Sequence, residues 1–114
     1  MIYHLTSSHA WETALVEGTY LPEQFAQDGF IHCSKKGQVI GVTLRYYANA
    51  SDLFLLEIDP DKLESRVIFE NLAGGEELFP HIYGPLNLKA VTATAIMPKD
   101  AEAKFHFPVV WTAH

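Results

Sequence analysis

Three short stretches of this chain each set a histidine two residues from a hydroxyl, the spacing that puts both side chains on one face of a β-strand. In Asp28-Gly29-Phe30-Ile31-His32-Cys33-Ser34, alternation groups Phe30, His32 and Ser34 on one side and Ile31 with Cys33 on the other. Ile2-Tyr3-His4-Leu5-Thr6 pairs His4 with Thr6, and Phe79-Pro80-His81-Ile82-Tyr83-Gly84 pairs His81 with Tyr83. An imidazole takes up and releases protons near neutral pH, so His32 and His81 are candidate acid–base groups. Glu70 is a candidate general base or orienting carboxylate, provided that strand geometry brings it near them. His4, Thr6, Ser34 and Tyr83 are candidate ligand-binding residues, with Ser34 and the start of the following helix suited to holding an anion.

Each of these residues also has a plainer reading, in which the imidazoles are half-buried and satisfied by backbone and Glu70 is a solvated strand end. His4, His32 and His81 could converge on a metal, since three protein ligands and a water form a catalytic zinc pattern. Spacing alone does not gather them, and no residue is assigned to a metal. Cys33 could be a nucleophile at a helix N-terminus, but alternation sends it away from His32, so it reads as a buried, inert thiol. His9, His106 and His114 have no hydroxyl at strand spacing and read as surface residues. There is no HExxH, P-loop, GxSxG or paired Cys/His spacing.

The elements that must position these residues follow from period and punctuation. Residues 2–6 read as a strand, and Ser7 or Ser8 caps a helix to Glu17 with Trp11, Ala14 and Leu15 on its apolar face and Gly18 as its left-handed stop. Pro22 opens a short helix that ends at Asp28-Gly29. Ser34 is placed to cap a helix running to about Ala48, weakened by Gly37 and Gly41, which are four apart. Leu53 to Asp59 is the most continuous apolar run and should be a central strand; Arg66 to Glu70 is a further strand with Arg66, Ile68 and Glu70 on one face. Asn71 to Glu77 reads as a mobile loop, Phe79 to Leu86 and Ala90 to Met97 as strands, and Lys104 to Phe107 as a last short one. About six strands and two or three helices, without βαβ alternation, give a compact single-domain α+β fold over residues 1–114.

Composition narrows the function classes. With 14 acidic against 8 basic residues the formal charge is -6, and Arg45 and Arg66 are the only arginines, so extended duplex nucleic-acid binding is disfavoured. A small phosphorylated ligand stays open, because one or two placed cations suffice to hold it. No apolar run approaches the roughly 20 residues of a membrane span. A lone cysteine and no visible secretory signal point to the cytoplasm.

Ile-Tyr-His-Leu around His4, Gly-Phe-Ile-His-Cys-Ser at 29–34 and Phe-Pro-His-Ile-Tyr-Gly-Pro-Leu at 79–86, in that order, resemble the bacterial and plant family known as domain of unknown function 952. The resemblance spans essentially the whole chain. It implies an ADP-ribosyltransferase-like fold, two curved, mostly antiparallel sheets packed as a split barrel around a cleft that holds NAD in active members. By that resemblance His4 is similar to the first-strand histidine that holds a ribose of NAD, and Tyr83 or Phe30 would stack on nicotinamide. The third motif offers His81 where the transferases have a glutamate, with Glu70 the nearest earlier carboxylate outside the Glu76-Glu77 pair.

Two functional expectations result. In the first, a cleft lined by His4, Thr6, His32, Ser34, Glu70, His81 and Tyr83 binds or acts on a nucleotide-like or phosphorylated small molecule of the NAD or ADP-ribose type. In the second, the domain is a non-enzymatic interaction module whose histidines are structural. The first requires His4, His32 and His81 to open into one concavity, with Ser34 beside a helix N-terminus and Tyr83 as one wall. A one-residue register change in any strand would break it.

Overall fold

The computed structural model describes residues 1–114 apart from Ala73, so that the expected loop at 71–77 lies partly outside the described residues. In chain order the elements are β1 (Ile2–Thr6), α1 (Ser8–Glu17), β2 (Thr19–Tyr20), α2 (Phe25–Asp28), β3 (Ile31–His32), α3 (Val39–Tyr46), β4 (Phe54–Ile58), β5 (Arg66–Glu70), β6 (Phe79–Tyr83), β7 (Leu86–Asn87), β8 (Val91–Ile96) and β9 (Thr112–Ala113). Among the described residues every strand pairing is antiparallel. The strands form a four-stranded sheet in the order β1-β4-β8-β9, a two-stranded β2-β7 ribbon and a three-stranded sheet in the order β3-β6-β5. This is an α+β fold, with no closed barrel among the described residues.

The apolar run of β4 lies between β1 and β8, where both of its faces are covered. Leu56 and Ile58 pack into one cluster with Ile2, Trp11, Tyr20 and Ile31, whereas Leu53 and Leu55 pack into a second with Tyr3, Leu5, Val39 and Val42. Burial of each such large side chain contributes about 1.5–3 kcal/mol relative to exposure. Because β1 shares this sheet, alternation sends Ile2, His4 and Thr6 to one face and Tyr3 and Leu5 to the other. His4 therefore enters the core on the side of α1 and β2.

The helices show where local signals sufficed. Ser7 caps α1 by accepting from the Ala10 N–H, and Gly18 closes it at φ 84 with its N–H on the Ala14 carbonyl. Trp11 and Ala14 are buried, but Leu15 is 47% exposed, so the apolar face is narrower than its spacing suggests. Pro22 precedes α2 without being part of it, and Gly29 ends α2 at φ 78.

Elsewhere tertiary pairing overrode the local signal. The regular strand within 28–34 shrinks to two residues, and Ser34 does not cap a helix: its N–H and C=O both pair with Tyr3, holding it extended. The chain turns two residues later through a short 3₁₀ segment, Lys36–Gln38, in which the Gln38 side chain accepts from the Lys35 N–H. The strand expected at 104–107 is reduced to an isolated Lys99–Phe105 bridge, and the final strand forms instead at β9 on the β8 edge. No helix among the described residues is long and apolar enough to cross a membrane.

Candidate functional site

Antiparallel pairing of β3 with β6 sets His32 directly opposite His81, and pairing of β6 with β5 sets His81 opposite Ile68. Glu70, two residues beyond Ile68 on the same face, is then the diagonal neighbour of His81, a distance that long side chains span. Its Oε1 lies 2.9 Å from His81 Nδ1 and also accepts the Tyr83 hydroxyl. The carboxylate can only accept, so the Nδ1 proton of His81 points at Glu70, and Nε2 is the nitrogen left for chemistry. The Phe30 ring stacks on the His81 imidazole at 4.0 Å and 14°, fixing the plane of the ring.

His32 stands 5.4 Å from His81, ring centre to ring centre, and its own ring makes no hydrogen bond among the described residues. Burial first, and then the neighbouring His81, lower its pKa, keeping the imidazole uncharged near neutral pH. The hydrogen bonds from Tyr83 and then His81 hold Glu70 below the usual carboxylate range, and the same contact raises Tyr83. A cleft of about 360 Å³ opens above this pair, walled on the far side by Gly37, Gly41 and Arg45 of the α3 region. A Cβ built on either glycine would meet nothing within 4 Å, so the two glycines border open space and mark no helix contact.

His4 lies in a different setting. Its Nδ1 is 2.7 Å from the His32 carbonyl oxygen and its Nε2 2.8 Å from the Tyr20 hydroxyl, which is 2.9 Å from Thr6 Oγ1. A carbonyl only accepts, so a neutral His4 carries its proton on Nδ1 and takes the Tyr20 proton at Nε2; the Thr6 hydroxyl then donates to Tyr20. Burial lowers the His4 pKa to about 4 and raises that of Tyr20 to about 12, so both stay uncharged. This chain, Thr6 to Tyr20 to His4 to the His32 backbone, ties β1 to β2 and β3.

A second cavity, of about 560 Å³, lies between α1, β2 and β3 and is bordered by His4, Thr6, Phe30, His32 and Ser34. Phe30, His32 and Val42 form the wall shared by the two spaces. The expected residues are thus distributed: His81 and Glu70 line the smaller cleft, His4, Thr6 and Ser34 the larger and His32 both, whereas Tyr83, expected as a wall, lines neither and reaches the site only through its hydroxyl on Glu70. A single concavity containing all three imidazoles is not formed. Cys33 points into the core with its thiol pKa pushed up by burial. Among the described residues, no group of three or more His, Cys, Asp or Glu is placed to hold a metal ion.

The NAD role implied for His4 needs a free ring nitrogen, and both are engaged within the fold. The residues present therefore do not fit NAD held in the transferase manner. Two site residues escaped sequence reasoning. Tyr20 follows the Gly18 stop in a segment too short to show a period, and Arg45 was visible only as one of two arginines.

Fold and site together define a small α+β protein with a histidine-lined cleft. The family model described as "Protein of unknown function (DUF952)" matches residues 5–94, and the chain belongs to that family. It is similar to the protein CC0527 from Caulobacter crescentus. A crystal structure of CC0527 superposes with a TM-score of 0.81 at 29% identity over 92% of each chain. The solution NMR structure of CC0527 gives 0.74 at 30% identity over 90% of this chain and 89% of that one. No curated protein gives a significant match to the chain.

Proposed function

We propose that the cleft between α3 and the β3-β6-β5 sheet binds a phosphorylated, nucleotide-like small molecule and that His81 and His32 move protons on it. The observation that carries this reading is the pairing of Glu70 with His81 Nδ1, which leaves Nε2 as the working nitrogen beside an uncharged, unbonded His32. A base oriented by a carboxylate, next to a second imidazole in a different electrostatic setting, is an arrangement suited to general acid–base chemistry such as hydrolysis or phosphate transfer. Arg45, on the opposite wall, supplies the cation that a phosphate needs in an acidic protein. The lone, buried thiol of Cys33 is compatible with a cytoplasmic setting.

The competing structural reading is supported for one residue only. His4 has both nitrogens consumed by the fold, so its part is to hold β3 in place beneath His32.

The test is titration with AMP, ADP-ribose and NAD, following the imidazole C–H resonances of His32 and His81 together with thermal stability. A ligand at about 100 times its Kd stabilises a protein by roughly 2.7 kcal/mol, which is readily seen. Saturable shifts at both imidazoles, weakened in Arg45→Ala and Glu70→Gln, are expected for at least one ligand. No shift and no stabilisation by any of the three at millimolar concentration overturns the reading.

A further inference from the structure

The larger cavity lacks the cation that Arg45 gives the smaller cleft. Glu17, Glu23 and Asp28 lie on its border, and no lysine or arginine lines it. Tyr20, Phe30 and Tyr47 also line it, Phe30 with one ring face already on His81. Acidic residues alone would be an ordinary solvated rim, but Ser34 adds an independent sign of a ligand. This residue is only 3% exposed, lies on the cavity side of its strand with Phe30 and His32, and its hydroxyl makes no hydrogen bond among the described residues. Among the described residues every side-chain nitrogen or oxygen sealed from solvent has a partner, so the unbonded Ser34 hydroxyl is reached by solvent, and Ser34 borders this cavity. A polar group held deep in a pocket without a protein partner is waiting for one from outside.

We infer that this cavity is a binding site for a small organic ammonium ion, with Ser34 accepting a hydrogen bond from the ligand, the aromatic rings facing its cationic end, and Glu17, Glu23 and Asp28 drawing it in. Cations are attracted to aromatic faces, and acidic residues at the mouth of a low-dielectric cavity concentrate positive ligands. With no lysine or arginine among the described lining residues, the same charges disfavour phosphate in this cavity. At about 560 Å³ the space is of the size that small-molecule sites use. The inference does not rest on the phosphate reading, since it concerns a separate cavity.

The experiment is an amide-resolved NMR titration with n-butylammonium, using n-butanol and butyrate as neutral and anionic matches of the same length. Saturable shifts are expected at Glu17, Phe30 and Ser34 for n-butylammonium, with affinity falling about tenfold in the triple variant Glu17→Gln, Glu23→Gln, Asp28→Asn and falling also in Ser34→Ala. All three acidic residues are exposed, so the triple variant should keep the native spectrum, which the same experiment shows. Equal shifts with n-butanol, undiminished binding to the triple variant, or no saturable shift at these residues overturns the inference. The phosphate reading is scored separately, at the His81 ring with AMP.

Discussion

Acidification should destabilise this protein largely through His4, a residue with no exposed chemistry. In the fold its pKa is lowered to about 4, whereas in the unfolded chain it returns to about 6.5. The unfolded state therefore binds the extra proton over the interval between these values, and stability must fall as pH drops through it. Integrating the linkage for one site between pH 7 and about 4.5 gives a loss of roughly 2 kcal/mol, out of a maximum near 3 kcal/mol well below pH 4. The hydrogen bonds themselves would tolerate the proton. If Nε2 became a donor, the Tyr20 hydroxyl could turn to accept from it and donate to Thr6, so the cost lies in burying charge beside the apolar cluster that contains Tyr20. The assay is urea unfolding of the wild type and His4→Gln at pH 7 and about 4.5. His32, also lowered, and the depressed carboxylates of Asp52, Glu70 and Asp100 lose stability in the same direction, but they are common to both proteins and cancel in the difference. The wild type should lose about 2 kcal/mol more than His4→Gln over this range. Equal losses, or a His4 resonance titrating near 6.5 in the folded protein, would refute the burial argument.

Two further outcomes follow from the same core. Tyr20→Phe keeps the ring but strips Nε2 of His4 and the Thr6 hydroxyl of their shared partner, so it should lower stability by about 1–3 kcal/mol at neutral pH in urea unfolding. Cys33, 1% exposed with its thiol pushed toward the protonated form, should react with a thiol reagent only at the rate of unfolding, giving full labelling in denaturant and almost none in native buffer.

Much of the fold is written locally. Ser7 and Gly18 mark α1 because a cap and a left-handed stop act through their immediate neighbours, and the apolar run of β4 identified the central strand because only a strand covered on both faces is so continuous. Strand alternation likewise put Phe30, His32 and Ser34 on one face and Cys33 on the other, since that follows from backbone geometry within a single segment. What could not be read was any relation between segments. The Glu70–His81 contact depends on the register of β5 on β6, the division into two cavities on where Phe30 and His32 fall between α1 and α3, and the occupation of His4 on Tyr20, a residue 16 positions away with no periodic signal of its own. Ser34 shows the same limit from the other side: its type suits a helix cap, but two backbone hydrogen bonds to Tyr3, 31 residues earlier, hold it extended and leave its hydroxyl to the cavity. Residue type and short-range geometry assigned the faces; register and packing across strands decided which of those faces meet.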